Sequence, residues 1–309
     1  MMMAELPLDQ VRTLLAAVDE GTFEAAARAL HVTPSAVSQR VKALEQRVGR
    51  VLLVRVKPVR LTESGEVVVR FARQLAALER DAAAELGLSD PGTPSGTPAT
   101  VPIAVNADSL ATWFLPALAD VAAHSGFEVC FDLHREDQDH TTVLLRQGLV
   151  MAAVTSSPEP VQGCTVRGLG RMRYYAMATP RFAERWLPYG PLARVLGDAP
   201  VVVFDRKDDL EDRFLRRLAP RRAGSGAAGM LRRHHVPASE AYVEAIAAGL
   251  GWGMLPEAQA AQRPNGELVH LAPRVPIDVP LYWQQWKLDS PALAAVAEAV
   301  VRTAQTALT

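Results

Sequence analysis

The chain reads as a mostly helical, basic N-terminal module, then one long helix, then a two-lobed α/β domain. Three observations carry that reading. Residues 22–62 hold two helical patterns joined by a tight connection and followed by a basic hairpin. From Thr62 a further helical pattern runs to about Leu88 with apolar residues spaced three and four apart. From Val101 the pattern changes to strands alternating with helices, the signature of layered α/β architecture.

In the N-terminal module, Leu8, Val11, Leu14, Leu15 and Val18 give a first amphipathic helix. Thr22 caps the second, whose Ala25, Ala26, Ala29 and Leu30 permit close helix–helix approach. The third helix has Thr33 as cap, Pro34 at its first position and an apolar face of Val37, Val41, Leu44 and Val48. Ser35, Ser38, Gln39 and Lys42 project away from that face, where short polar side chains near a helix N-terminus suit base edges and phosphates in a major groove. Val51–Val54 and Val59–Leu61 are short strands around Pro58, decorated by Arg55, Lys57 and Arg60.

Charge sharpens the picture. Between Ala26 and Thr62 stand eight Lys or Arg (Arg28, Arg40, Lys42, Arg47, Arg50, Arg55, Lys57, Arg60) and one acid, Glu45, so this stretch carries +7 and the rest of the chain −8. A basic module on an otherwise acidic chain implies a polyanionic partner for that module alone. An amphipathic helix or a basic face taken alone would be a solvated surface. The ordered set of helix, turn, helix and basic wing implies double-stranded DNA.

The long helix has Val68, Phe71, Leu75, Leu78 and Ala82 at coiled-coil spacing, with Arg70, Arg73, Glu79, Arg80, Asp81 and Glu85 on its other faces. The stripe serves either packing on its own domain or pairing with a second copy. Ser89–Thr100, SDPGTPSGTPAT, reads as a flexible connection and marks a boundary. Beyond it the expected elements are strand Val101–Val105, helix Leu110–Ala123, strand Glu128–Leu133, helix Thr141–Gln147 and strand Met151–Val154. A second set follows: strands Arg173–Ala178 and Pro200–Phe204, helix Asp209–Ala219, strand Met230–Val236, helix Ser239–Ala248 ended by Gly249, and strand Gly251–Leu255.

Ligands of open α/β lobes bind at the carboxyl ends of strands. Three loops qualify: Asn106-Ala107-Asp108-Ser109, where backbone N–H groups and Ser109 can hold a carboxylate at a helix N-terminus; Thr155-Ser156-Ser157-Pro158; and Phe204–Asp209, with Ser239 and Glu240 opening a later helix. Each residue also has a plain structural reading. Ser109, Ser239 and Asp209 can be caps, Asp208 can pair with Arg206 or Arg213, and Trp113 can be either lobe core or a cation-binding face.

Other classes are disfavoured. Cys130 and Cys164 sit in or beside apolar segments without metal spacing and read as reduced core thiols. His234 and His235 are adjacent and point to opposite strand faces; His134 and His140 flank EDQD without a standard metal spacing. No nucleophile elbow or phosphate-binding glycine loop occurs, and GLGWG lacks a dinucleotide fingerprint, so neither a cofactor nor catalysis is expected. Glu5 and Asp9 near the start and the lack of a long apolar run argue against a signal peptide and a membrane span, leaving a cytoplasmic protein as the expectation. The rivals are a solute-binding module and, third, an enzyme using an inter-lobe cleft.

AAARALHVTPSAVSQRVKALEQRVG followed by LTESG resembles the N-terminus of the LysR-type transcriptional regulators, and the resemblance extends along the whole chain. VNADSLATWFLPAL, FDRKDDLEDRFL and EAIAAGLGWGMLPEA resemble the ArgP/LysG branch, regulators of basic amino-acid export and metabolism. The resemblance implies a winged helix-turn-helix over residues 1–62, a dimerisation helix over 63–90, a connection over 91–100, and an effector domain like the periplasmic solute-binding proteins. Lobe I would comprise 101–168 and 275–309, with the terminal helix Leu293–Ala304 returning to it. Lobe II would be 169–274, with crossovers near Arg167 and Leu271–Val275. It further implies a homodimer through the linker helix, a homotetramer, and a basic amino-acid effector (lysine, arginine or histidine) governing an exporter or related metabolic genes, and it leaves RNA polymerase open as a partner. The expected DNA contacts are Thr33, Pro34, Ser35, Ser38, Gln39, Arg40, Lys42, Arg55, Lys57 and Arg60. The expected effector contacts are Asn106, Asp108, Ser109, Trp113, Thr155, Ser156, Phe204, Asp208, Ser239 and Glu240. Asp108, Asp208, Asp209 and Glu240 would neutralise the effector's two positive groups. The family often has Gln-Pro where this chain has Pro34-Ser35, and Arg where it has Gln39, which bears on base preference.

Overall fold

The computed structural model describes residues 6–88, 99–124, 128–135, 141–189, 191–218 and 232–309. Most of the Ser89–Thr100 connection, the EDQD stretch with His140, the ends of the expected helix at Ala219 and strand at Met230, and Glu5 at the start lie outside the described residues.

The N-terminal module packs α1 (Leu8–Asp19), α2 (Phe23–Ala29) and α3 (Pro34–Val48) around one core and closes with a wing of β1 (Leu53–Val54) and β2 (Arg60–Leu61). The helices start where the sequence places caps: Thr22 Oγ1 accepts from Ala25 N–H at 3.1 Å, and Thr33 Oγ1 from Ala36 N–H at 3.2 Å. Gly49 ends α3 in the left-handed conformation, φ 71°, which a side chain would strain. Val11, Leu14, Val37, Val41, Leu44 and Leu52 are fully buried, each contributing roughly 1.5–3 kcal/mol of transfer free energy.

The linker helix α4 spans Glu63–Glu85, with the Thr62 hydroxyl accepting from Gly65 N–H at 3.1 Å. The glycine of LTESG has a steric cause: a Cβ on Gly65 would fall 2.0 Å from the Leu52 carbonyl oxygen. The expected seam is only partly the exposed one. Val68 is 6% exposed and packs with Val69 and Ala72 into the winged-helix core, whereas Val67, Phe71 and Leu78 are exposed. Helical rotation explains this, because the first turns of α4 must cover Leu52 and Leu53 and Val68 is the residue facing them. Further along, α4 grips the effector domain. Arg70 Nη1 donates to Arg146 O at 3.3 Å and Arg73 Nη1 to Gln147 O at 3.0 Å, both at the C-terminal end of α7 (Thr141–Gln147). Arg73 also bonds Asp19 at 2.5 Å, tying α1 to the same point.

The effector domain is built on one mixed seven-stranded sheet. Its lobe I part has β3 (Ala99–Val105) between β4 (Val129–Arg135) and β5 (Ala152–Thr155), all parallel. The next strand is longer than the expected Arg173–Ala178. It is β6 (Cys164–Ala178), antiparallel to β11 (Ile277–Trp286) over ten pairs. This pair carries the chain through both lobes, so the crossover expected near Arg167 is the interior of a strand. Gly168 and Gly170, turn-like in sequence, sit opposite the register shift between Leu281 and Tyr282. β11 itself was not anticipated: Pro280 interrupts an otherwise alternating run. Lobe II adds α8 (Pro180–Trp186), α9 (Leu192–Asp198), β7 (Val201–Val203), α10 (Leu210–Leu218), β8 (Arg233–His235), α11 (Ser239–Ala247), β9 (Gly253–Pro256), α12 (Glu257–Ala261) and β10 (Val269–His270). β9 and β10 pair with β6, and β7 with β8.

The expected helix Leu110–Ala123 is preceded by a short helical turn α5 (Ala107–Ser109) and divides into a π-helical turn Leu110–Phe114 and α6 (Leu115–His124). The terminal helix α13 (Pro291–Ala307) packs on α6, burying Leu293, Val296 and Val300. No helix among the described residues is long and apolar enough to cross a membrane.

Candidate functional sites: a basic helix face and an acidic inter-lobe cleft

The surface of α3 opposite its buried stripe is polar and open. Thr33, Pro34, Ser35, Gln39 and Lys42 are exposed and Ser38 and Arg40 half-buried. On the wing, Arg55, Lys57 and Arg60 are all exposed. Arg55 stacks its guanidinium 5.7 Å from the centre of the Phe23 ring, and Lys57 lies 4.0 Å from Glu24. Glu45 is turned inward: its Oε1 accepts from Leu52 N–H at 2.9 Å and Leu53 N–H at 3.3 Å, fixing the start of the wing to α3. The one acid of the basic segment is thereby spent on backbone amides, leaving the outward face cationic.

A cavity of about 600 Å³ opens between the lobes. Lobe I supplies the carboxyl ends of all three of its parallel strands: Asn106–Asp108 after β3, Arg135 at the end of β4, and Ser156 after β5. Lobe II supplies Phe204, Asp205 and Lys207 to Leu210, after β7, along with Arg213, Pro237, Tyr242 and Met254; the shared strands supply Tyr174, Val279 and Pro280. The ends of parallel strands are where an α/β sheet leaves backbone groups and loops free to meet a ligand.

Asp108 is the pivot of this cleft. Its Oδ2 accepts from Tyr174 Oη at 2.7 Å, and its Oδ1 accepts from Ser239 Oγ, on α11 of lobe II, at 3.0 Å. Gln259 Nε2 donates to the same Ser239 oxygen at 2.7 Å. A lobe I carboxylate is thus bonded directly to lobe II. Burial raises its pKa against the lowering effect of those two donors. Across the cleft, Asp208 accepts from Leu210 N–H at 3.0 Å and so caps α10. Burial lifts its pKa to about 6, with Asp108, Asp205 and Asp209 adding to the rise. Glu211, 1% exposed, stands behind Tyr242 and Met254. Burial, then the charge of Asp208, lifts it to about 8. Gly253 makes room for this arrangement, since a Cβ there would lie 2.5 Å from Tyr242 Oη.

Six sequence-predicted residues are placed in or at the cleft: Asn106, Asp108, Ser156, Phe204 and Asp208 line it, and Ser239 reaches it through Asp108. The other four lie apart from its lining. Ser109 is fully buried, Trp113 packs edge-on against Phe114 in the lobe core, Thr155 is buried with its hydroxyl accepting from Ser157 N–H, and Glu240 is exposed on α11. Ser109 makes no side-chain cap bond, Ser239 directs its hydroxyl to Asp108, and Asp209 pairs with Arg216 at 3.3 Å. Sequence reasoning missed Arg135, Tyr174, Arg213, Tyr242 and Glu211, whereas Lys207 falls within the Phe204–Asp209 loop it named. Arg135 follows from the strand-end rule already applied to the other loops; Tyr174 and Glu211 carry no signal short of the fold. Among the described residues no three His, Cys, Asp or Glu gather as a metal site.

Cationic Arg135, Lys207 and Arg213 share the cleft with Asp108, Asp205, Asp208 and Asp209. That mixture is complementary to a zwitterion with an additional positive charge.

Comparison with known proteins identifies the two domains that carry these surfaces. The model of the bacterial regulatory helix-turn-helix protein, lysR family, matches residues 8–66, and that of the LysR substrate binding domain matches residues 96–305. The lysine export transcriptional regulatory protein LysG of Corynebacterium glutamicum is 46% identical over 297 residues, 96% of this chain and 97% of that protein. The structure of full-length LysG from Corynebacterium glutamicum with bound effector Arg superposes with a TM-score of 0.81 at 44% identity, covering 98% of this chain and 99% of that one. The crystal structure of ArgP from Mycobacterium tuberculosis gives 0.86 at 44% identity, covering 97% of each. This chain belongs to the LysR family of bacterial helix-turn-helix transcriptional regulators.

Proposed function

We propose that the chain is a cytoplasmic regulator that binds operator DNA through α3 and the wing and senses a basic amino acid in its inter-lobe cleft. The target would be an amino-acid exporter or related metabolic genes. The observation that supports this most is the pairing of Asp108 from lobe I with Asp208 from lobe II around one cavity. In this reading Asp108 takes the α-ammonium, Asp208 the cationic tail, and Arg135 with the amides after β3 takes the carboxylate. The names of LysG and ArgP point the same way. Because Asp108 also holds Ser239, a ligand ammonium that engages it changes the bonding between lobes, and a ligand acts on DNA only through such a difference between states. Exposed Val67, Phe71 and Leu78 on α4 support a dimer, and a dimer of dimers would span two half-sites. A second reading rests on Arg135, Lys207 and Arg213: these cations suit an acidic metabolite such as an aromatic acid.

The test is fluorescence anisotropy on a duplex selected by the protein from a random-sequence library, with lysine, arginine, histidine or benzoate added. A change in affinity or in the bound complex with a basic amino acid alone supports the first reading. A change with benzoate alone supports the second.

A further inference from the structure

Glu211 lies outside the cleft lining yet cannot be a simple core residue. It is a carboxyl group 1% exposed, one side-chain layer behind the cavity wall. Its Oε1 lies 2.7 Å from Tyr242 Oη and 3.3 Å from Met254 N, and both of those residues line the cavity. Its Oε2 is buried with no hydrogen-bond partner, and among the described residues no Lys or Arg pairs with it. An uncompensated buried carboxylate costs several kcal/mol, so such a group either holds a proton or awaits a cation. A second cavity-side atom is left open in the same way: Asn106, 3% exposed, has a partnerless Oδ1. The titratable groups nearest Glu211 are acids and phenols. Asp208 precedes it on the loop before α10, Tyr242 faces it from α11, and Tyr174 on β6, itself bonded to Asp108, is within electrostatic reach; of the cations lining the same cavity, Arg213 shares α10 with Glu211, Lys207 lies on the preceding loop and Arg135 ends β4.

We propose that Glu211 is a specificity residue that exchanges its proton for the cationic tail of the effector. The effector's positive charge, seated at Asp208, stabilises the Glu211 carboxylate through the Tyr242–Met254 wall, and the O–H proton of Glu211 leaves to solvent. A neutral side chain of the same length gives no such return and leaves the proton in place. Selectivity for dibasic over neutral amino acids then comes partly from a residue the ligand never touches. The inference rests on the basic-amino-acid reading of this cleft. The free protein holds the proton at neutral pH, since the pKa of Glu211 stands at about 8. Effector affinity therefore rises with pH up to that value.

The experiment is isothermal titration of the full-length protein at pH 7 with L-lysine, L-arginine and L-norleucine, each in buffers of different ionisation enthalpy. The expected result is release of close to one proton with lysine or arginine, none with norleucine, and a lysine preference over norleucine that grows between pH 6 and pH 8. E211Q keeps the Oε1 acceptor for Tyr242 and Met254 and is expected to fold. It should bind lysine without the proton release and lose about tenfold of the lysine-over-norleucine ratio. Lysine binding by the unaltered protein with no dependence on buffer would overturn the proposal without recourse to any variant, as would E211Q retaining the release. Absence of binding by lysine and arginine, and by L-histidine titrated in the same way, would overturn the basic-amino-acid reading, and this inference with it.

Discussion

Glu45→Ala sets two physical effects against each other. Glu45 is the one acid among eight basic residues between Ala26 and Thr62, so replacing it with alanine raises the net charge of a DNA-facing module by one. Counting charge alone, the variant binds DNA more tightly. The structure predicts the reverse. Glu45 Oε1 holds Leu52 N–H at 2.9 Å and Leu53 N–H at 3.3 Å, and Leu52 and Leu53 are core residues at the root of the wing. A hydrogen bond to a charged group is worth about 1.5–3 kcal/mol, and the longer contact adds less. Alanine returns only a few tenths of a kcal/mol in helix propensity. The net loss is about 2 kcal/mol, or roughly 10 °C in the Tm of a module of this size. Because the wing carries Arg55, Lys57 and Arg60, its loosening weakens DNA binding. Glu45→Gln separates the effects, since it removes the same charge but keeps the acceptor. Circular-dichroism melts and anisotropy on the selected duplex should rank unaltered protein first, Glu45→Gln close behind and Glu45→Ala last. Tighter binding by Glu45→Ala with an unchanged melt would refute the strut and leave Glu45 an ordinary surface charge.

Four other outcomes follow from the same contacts. Arg55→Ala should weaken binding to all duplexes alike and lower the slope of log affinity against log salt by about one, as one phosphate contact is lost. Asp208→Asn should impair the lysine or arginine response while leaving DNA affinity of the free protein intact, read by anisotropy with and without effector. Arg73→Ala, which frees α4 from both Gln147 O and Asp19, should preserve each binding event measured separately but reduce the effect of one on the other. The effector domain should lose stability as pH rises. Asp208 and Glu211 have folded pKa values, about 6 and about 8, above their ordinary ones, so the native state binds more protons than the unfolded chain between roughly pH 4 and 8. Stability is fully present below that window and falls by at most about 1.4 kcal/mol per pH unit for each proton held. Denaturant melts across pH 5–8.5 test this, with the upper part of the fall absent in Glu211→Gln.

Local chemistry was legible in the sequence wherever a residue acts on its own segment. Thr22, Thr33 and Thr62 cap the helices they precede, and Val37, Val41 and Leu44 are buried as their spacing requires. What escaped depends on distant partners. Gly168, Gly170 and Pro280 look like strand breakers, yet β6 and β11 run past them because each strand supplies the other's hydrogen bonds through a bulge. Val68 satisfies a coiled-coil spacing and a core position equally, and only the placement of Leu52 decides between them. In the cleft, Asp108 was legible as a strand-end loop residue, but its bond to Ser239 joins positions 131 residues apart. Glu211 was invisible for a related reason. In sequence it belongs to a charged amphipathic run, LEDRFLRRL, and the fold turns that one acid inward.

Recognition of a basic amino acid in the cleft between the lobes is what these residues have in common. Thermal stability of the purified full-length protein with each of the twenty amino acids tests it most directly, since a ligand that binds only the native state raises Tm by mass action. A selective rise with lysine, arginine or histidine, abolished in Asp208→Asn, is the expected result. A rise with neutral or acidic amino acids instead, or no rise with any of the twenty, would contradict it.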